Sequence, residues 1–361
     1  MQERARRALQ KAPRLLLVRL RSLGDSILTL PLVEALRLWR PELQTDILVE
    51  APFAPVFRGN PAVHEVLVVR SRNAPNMAGW TRLQGILQIL KRRYPVVLDL
   101  HGGTTSLTFS LLSGARLRVG QECYRHAWAY NVRIPPSSFV WQRPKVHTAE
   151  HQLTLLRWLD LSRIEVPPAK IYTSEESRRA AADRLRKAGL APGAYILVHP
   201  TATLFTKQWP EKNFAQLSDM LAQHCGLPVV FTSAPREAQV LLNVGKWTTG
   251  SYFYWSDLNL DELFTMIEGA RLFVGNDSGP THAAAALGRP VVVVWGSSDF
   301  KAWHPWGTDF EAVRSDLPCI PCPGYTCAAF GAPKCVLDIP VERVFEACRR
   351  QLERSATNCT S

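Results

Sequence analysis

The residues best suited to chemistry lie in turns that follow apolar runs. Gly275-Asn276-Asp277-Ser278-Gly279-Pro280-Thr281-His282 ends the run Leu272 to Gly275 and leads into the alanine-rich stretch Ala283 to Leu287. Such a strand-to-helix turn aims free backbone N–H groups and the positive end of a helix at one spot, an anion site suited to a diphosphate. Ser278, Thr281 and His282 add side-chain donors, and Asp277 can orient a donor group or a sugar hydroxyl. A capped tight turn would use the same residue types. His199-Pro200-Thr201-Ala202-Thr203-Leu204-Phe205-Thr206-Lys207-Gln208-Trp209-Pro210 supplies hydroxyls and one ammonium where phosphate oxygens would lie, and a lysine there would neutralise charge on a leaving group. In Ala234-Pro235-Arg236-Glu237, Glu237 can accept from a ribose or sugar hydroxyl. A solvated lysine or a helix-starting glutamate is the ordinary alternative for each taken singly.

Arg19-Leu20-Arg21-Ser22-Leu23-Gly24-Asp25-Ser26 follows the first apolar run. Gly24 permits close backbone approach and Asp25 stands where a carboxylate can face a crevice, although either Asp25 or Ser26 could simply cap a helix. His101-Gly102-Gly103-Thr104 and Arg125-His126 are weaker candidates for contact with an acceptor phosphate. Trp303-His304-Pro305-Trp306-Gly307 offers aromatic faces to a base or sugar, with core packing equally plausible in a chain of 11 tryptophans.

Positioning these turns requires alternating strands and helices, the pattern of βα units and parallel sheets. Strands are expected at 15–20, 47–49, 66–69 and 96–100 in the first half, and at 195–199, 228–232, 272–275 and 291–295 in the second. Helical periodicity marks 26–40, 80–92, 147–161, 174–188, 213–224, 236–244, 261–270 and a last helix from Pro340 to about Arg354. The region before 147, with Pro135 and Pro136, reads as irregular. Prolines from Pro167 onward place a boundary near 172. The expected domains are 1–172, 173–339 and a C-terminal helix with its tail, 340–361.

The chain has 361 residues, enough for two domains, and 43 Lys plus Arg against 31 Asp plus Glu give a net charge of +12. Hydrophobic residues at 46% and charged residues at 20% describe a globular protein, which excludes a disordered or fibrous chain. No run approaches the roughly 18 apolar residues of a spanning helix. Arg19 and Arg21 interrupt the only stretch resembling a signal peptide, so a cytoplasmic chain is expected. The basic excess suits an anionic partner. Because Lys and Arg are dispersed and no recognised nucleic-acid motif occurs, a nucleic-acid-binding protein is disfavoured. Cys319, Cys322, Cys327 and Cys335 form C-x2-C-x4-C-x7-C, while Cys123, Cys225, Cys348 and Cys359 are scattered. Four such thiolates can hold zinc or an iron–sulfur cluster, but the spacing matches neither a zinc ribbon nor a ferredoxin, and a structural loop with free or bridged thiols is preferred.

Arg21-Ser22-Leu23-Gly24-Asp25 with Leu30-Pro31, Lys207-Gln208-Trp209-Pro210 and Asn276 to His282 resemble the signatures of glycosyltransferase family 9, the ADP-heptose lipopolysaccharide heptosyltransferases. The resemblance spans about Arg14 to Leu352. It implies an α/β GT-B fold: two Rossmann-like, doubly wound domains facing a central crevice, the acceptor on the N-terminal one, the nucleotide sugar on the C-terminal one, and the C-terminal helix packing back toward the N-terminal domain. It also implies inversion without a metal, with Asp25 as general base and Lys207 as the diphosphate-binding lysine. Glu237 and the loop Asp277, Ser278, Gly279 and His282 would hold the donor, together with Thr201 or Thr203, which Ala202 separates where the family carries adjacent threonines. Acceptor contacts fall to Arg21, Ser22, Gly24 and His101.

The expected activity is therefore transfer of a heptose from ADP-heptose to an anionic lipopolysaccharide inner core at the cytoplasmic face of the inner membrane. No cofactor is expected. Other family 9 acceptors or nucleotide sugars remain as alternatives, and Asp25 and Lys207 together speak against a binding module that has lost catalysis. The basic N-terminal segment, with Arg4, Arg6, Arg7 and Lys11, is either a peripheral membrane contact or a frayed, solvated helix.

Overall fold

The computed structural model describes residues 2–70, 78–161, 165–322 and 324–357. Cys359 lies outside them. The chain divides into two compact units, Met1–Tyr172 and Thr173–Ser361.

The first unit contains β1 (Arg14–Val18), β2 (Gln44–Glu50), β3 (Glu65–Val69), β4 (Val96–Asp99), β5 (Leu117–Gln121) and β6 (Val132–Ile134). They form one parallel sheet in the order β3-β2-β1-β4-β5-β6. The second unit contains β7 (Ile196–His199), β8 (Val229–Thr232), β9 (Phe253–Trp255), β10 (Leu272–Asn276), β11 (Val291–Trp295) and β12 (Phe310–Arg314). Their parallel order is β12-β11-β10-β7-β8-β9, the same winding repeated. The order reverses between β1 and β4 in one sheet and between β7 and β10 in the other. At such a switch point the loops leaving the two adjacent strands diverge to opposite faces and open a crevice beyond the strand ends.

The central strands are buried on both faces, which is why they stand out as unbroken apolar runs. Leu16, Val18, Leu48 and Val97 pack with Phe109 in the first core. Val198, Phe231, Val274 and Val292 pack with Phe214 and Phe345 in the second. Phe345 belongs to the C-terminal helix Val341–Thr357. That helix lies against the helix Glu211–Cys225 and against β10, β11 and β12.

Several elements depart from the periodicity reading. The segment read as one helix over 26–40 is two, Leu23–Ile27 and Leu30–Trp39, because Pro31 has no N–H with which to continue the first. The 147–161 helix likewise splits into Thr148–Gln152 and Thr154–Trp158. The region read as irregular contains the helix Thr104–Leu112, β5 and β6. The N-terminal helix Gln2–Lys11 is docked and not frayed: Ala5 and Leu9 are buried, and Arg40 Nη1 donates to the carbonyls of Leu9 (2.9 Å) and Ala12 (3.0 Å). Arg4, Arg7 and Lys11 remain exposed. No helix among the described residues is long and apolar enough to cross a membrane.

Candidate active site

In the first unit the switch point brings together the loops after β1 and β4. Asp25 is the third residue of the helix Leu23–Ile27, and Ser22 is its N-cap. The Ser22 hydroxyl donates to Asp25 Oδ2 at 2.9 Å, a capping arrangement that fixes the carboxylate at the helix mouth. The capping role expected for Asp25 is thus present. Oδ1 lies 3.5 Å from Arg19 Nη1, and the two side chains differ sharply in exposure, 7% for Arg19 and 30% for Asp25. Arg19 closes β1, with its N–H bound to the Leu48 carbonyl, and its Nη2 donates to Gln152 Oε1 at 3.2 Å. Its buried Nε has no hydrogen-bond partner. Arg21 and Ser22 are exposed.

The loop after β4 is tied by Asp99, a buried acid not singled out from sequence. It accepts the N–H groups of His101 (2.8 Å) and Gly102 (3.0 Å) and the Tyr130 hydroxyl (2.7 Å). Gly102 has φ +70°, and a Cβ there would come within 2.6 Å of the Tyr124 ring, so this turn requires glycine. His101 is held below the ordinary imidazole range, first by burial and then by Arg19, against the opposing pull of Asp99 and Asp25. Its neutral ring therefore shares the neighbourhood of Arg19, Arg21 and Asp25. Arg125 is exposed and His126 half-buried.

In the second unit the loops after β7, β8, β10 and β11 interlock. Asn276, the last residue of β10, accepts the Trp209 N–H through Oδ1 (3.1 Å) and donates through Nδ2 to the Pro200 carbonyl (2.9 Å). One amide thus pins both ends of the loop that carries Lys207. Lys207 Nζ lies 2.8 Å from Asp277 Oδ2, with the lysine 21% and the aspartate 4% exposed. Ser298 Oγ donates to the same carboxylate oxygen. Gly296 allows this approach, since a Cβ there would stand 2.4 Å from the Thr206 carbonyl. The turn then opens the helix Gly279–Ala286, whose N-cap Ser278 has a buried hydroxyl without a partner. Thr281 donates to the Asn276 carbonyl, and His282 is buried.

Thr201 and Thr203 face different surroundings. Thr201 is buried and bonded to His199 and Glu237, whereas Thr203 is exposed. Glu237 closes a short 3₁₀ turn, Pro235–Glu237, before the helix Ala238–Gly245. The aromatic cluster after β11 packs on itself: Phe300 meets Trp295 edge-on, and His304 stacks on Phe310 and Trp306.

Cys319, Cys322 and Cys327 are half-buried and Cys335 is buried, all with free thiols. Burial pushes the Cys335 thiol up, and the other three cysteines push it further. Their segment braces the Lys207 loop: the Cys322 N–H donates to the Ser297 carbonyl (2.9 Å) and Thr206 donates to the Gly324 carbonyl. One trio of ligating atoms among the described residues lies within 4.8 Å, that of Asp46, His64 and Glu65, and it includes no cysteine. That trio is already satisfied by Tyr94 on Asp46 and Arg92 on Glu65.

Sequence reasoning missed Arg19, Asp99, Asn276 and Ser298 as organisers. Arg19 carried a usable signal, a charged residue directly following the apolar run Leu15 to Val18.

Residues 83–332 match the model of glycosyltransferase family 9 (heptosyltransferase). Lipopolysaccharide heptosyltransferase 1 of Pseudomonas aeruginosa is 29% identical over 325 residues, 87% of this chain and 87% of that protein. Lipopolysaccharide heptosyltransferase 3 of Escherichia coli is 24% identical over 299 residues, 79% of this chain and 84% of that protein. The solved E. coli ADP-heptose lipopolysaccharide heptosyltransferase II superposes with a TM-score of 0.78 at 19% identity, covering 95% of this chain and 99% of that one. With two Rossmann-like units wound as in a GT-B enzyme and a family match over more than half its length, the chain is a glycosyltransferase and belongs to family 9, the heptosyltransferases.

Proposed function

We propose that this enzyme transfers a heptose from ADP-heptose to the inner core of lipopolysaccharide, with inversion and without a catalytic metal. The observation that carries the reading is the Lys207 ammonium, held 2.8 Å from Asp277 beside the opening turn of the helix Gly279–Ala286. A diphosphate at that turn would meet a fixed cation and the positive end of the helix, where Pro280 has no N–H and the Thr281 N–H is bonded to the Ser278 carbonyl, so that Gly279 is the first-turn donor. The relatives' names support the sugar and the acceptor.

Asp25 is the proposed base. Its carboxylate takes the proton of an acceptor hydroxyl while that oxygen attacks the anomeric carbon from the face opposite the diphosphate. The bond from the anomeric carbon to the leaving oxygen breaks, its electron pair departs with ADP, and Lys207 meets the charge that develops. Because the protein itself supplies this positive charge, no divalent cation is needed. Arg21, Ser22 and His101 surround Asp25 as contacts for an anionic acceptor. Thr203, exposed on the loop that bears Lys207, is the proposed phosphate-side threonine. The Cys319–Cys335 segment serves as a brace behind Lys207.

We place the reaction at the cytoplasmic face of the inner membrane, with Arg4, Arg7 and Lys11 as a peripheral contact. Deleting residues 2–11 should then weaken binding to anionic liposomes, and unchanged binding would remove this contact. The decisive assay is ADP release from ADP-heptose, with and without lipid A carrying inner-core sugar, in the presence of EDTA. Acceptor-dependent release is expected. Silence despite measurable ADP binding would overturn the donor sugar or the acceptor.

A further inference from the structure

Behind Glu237 lies a line of buried hydrogen bonds that the proposed chemistry does not use. Thr232, at the end of β8, sits 3.1 Å from Nδ1 of His199, at the end of β7. His199 Nε2 is 2.9 Å from Thr201 Oγ1, and Thr201 Oγ1 is 2.8 Å from Glu237 Oε2. Thr232, His199 and Thr201 are all buried, and only Glu237 reaches the surface.

The chain has one consistent direction. A carboxylate only accepts, so the Thr201 hydroxyl spends its single proton on Glu237. Thr201 Oγ1 must then accept from His199, which places the imidazole proton on Nε2. Nδ1 is left as the acceptor of the Thr232 hydroxyl. Burial favours the neutral ring this requires, holding His199 down at about 4. The other groups facing the line are Glu237 itself and, at 3.9 Å from Oε1, the exposed Arg236. The relay fixes Oε2 and leaves Oε1 as the acceptor offered to a ligand.

We propose that His199, as the neutral Nε2–H tautomer, is a positioning residue that acts through Thr201 to aim Glu237 at the ribose diol of the donor nucleotide. The inference rests on the reading of this unit as the nucleotide-sugar site. It assigns Thr201 to Glu237 instead of to phosphate, and it makes the line a determinant of preference for a ribose with free hydroxyls.

The test is calorimetric binding of ADP and of 2′,3′-dideoxy-ADP to the full-length protein and to Thr201→Val, Thr201→Ser, Glu237→Gln and the Thr201→Val/Glu237→Gln pair. The unmodified protein should prefer ADP. Thr201→Val should reduce that preference by about tenfold, the scale of one hydrogen bond to a charged group, and Thr201→Ser should restore it. The double variant should discriminate no less than Glu237→Gln alone. If Glu237→Gln keeps the full preference, the ribose role of Glu237 is overturned. If Glu237→Gln loses it while Thr201→Val keeps it, the positioning role alone is overturned. Equal weakening of both ligands by Thr201→Val would instead place Thr201 on phosphate. Nitrogen-15 spectra of histidine-labelled unmodified protein give a second reading that needs no variant to fold. A resonance pair for His199 in the Nε2–H form is expected, and the Nδ1–H form would refute the direction of the relay.

Discussion

The two switch points share one strand order yet invert the placement of charge. In the first unit a buried cation, Arg19, holds a partly exposed acid, Asp25. In the second a buried acid, Asp277, holds a partly exposed cation, Lys207. In each pair the buried member is anchored by neutral partners: Gln152 for Arg19, Ser298 for Asp277. The exposed member is the one a substrate can reach. On the proposed reading, the same winding presents a proton acceptor at one site and a counter-charge for a phosphate at the other, with the difference carried by loop residues. Burying the partner fixes the working group's position, at the cost of leaving a desolvated charge whenever that group is removed.

The largest effect expected from breaking this symmetry is on turnover. Asp25→Asn should lower kcat by about 10³-fold, the usual range for losing a general base. Lys207→Met should lower kcat by about 10²-fold and, unlike Asp25→Asn, should also weaken ADP binding. Steady-state ADP release and ADP titration of both variants test the contrast. Equal effects on ADP affinity would erase the division of labour between the units.

The next effect is on stability. Lys207→Met leaves the Asp277 carboxylate, 4% exposed, without a cation, and Asp25→Asn leaves Arg19, 7% exposed, without an anion. Each should cost about 3 kcal/mol, read as a shift in denaturant midpoint. The reciprocal double variants Lys207→Met/Asp277→Leu and Asp25→Asn/Arg19→Met should recover part of the loss, since no unpaired buried charge remains. Failure to recover would mean the loops depend on these pairs for shape.

Acid should act on the second unit through His199. Its folded value of about 4 lies below the ordinary 6.5, so the unfolded chain binds the proton more readily. Stability from this group is complete above about pH 6.5 and is lost as pH falls toward 4, by about 3 kcal/mol in all. Denaturation midpoints between pH 7 and 4 should show this slope, and a leucine or glutamine at position 199 should flatten it.

How much of this was legible in the sequence follows from burial. Strands buried on both faces, such as β7 (Ile-Leu-Val-His) and β11 (Val-Val-Val-Val-Trp), reveal themselves as apolar runs. β9 and β12 lie at the sheet edge with half-exposed side chains, and β5 and β6 carry Arg118 and Arg133, so none of the four interrupts the polar background clearly. The turns bearing Asp25 and Asp277 were readable because strand, glycine and polar residues coincide within a few positions, and that bearing Lys207 because a strand is followed by threonines, a lysine and Trp209-Pro210. Their partners were not. Arg19 finds Gln152 across 133 residues, and Thr206 finds Ser297 across 91, distances over which periodicity carries no information. Thr201 illustrates the limit most directly: its place in the motif suggested phosphate, and only the neighbouring strand, which brings Thr232 beside His199, reveals the competing use of its hydroxyl.

The smallest effect sharpens the comparison most finely. Arg19 lowers the titration of both His101 and His151, in each case after burial as the larger cause. Removing the cation by Arg19→Met should move both midpoints upward while burial keeps them below the ordinary value. His101 should respond in the presence of Asp25, Asp99 and Arg21, whose opposing contributions remain. In the second unit burial lowers His199 and Glu237 opposes it, while Lys207 is 21% exposed and paired with Asp277. Lys207→Met should therefore leave His199 where it was. Histidine titrations followed by NMR in the two variants separate a buried cation, whose field reaches its neighbours through low-dielectric protein, from a partly exposed one that water screens. A shift of His199 in Lys207→Met equal to that of His101 in Arg19→Met would show that exposure does not set the reach of these charges.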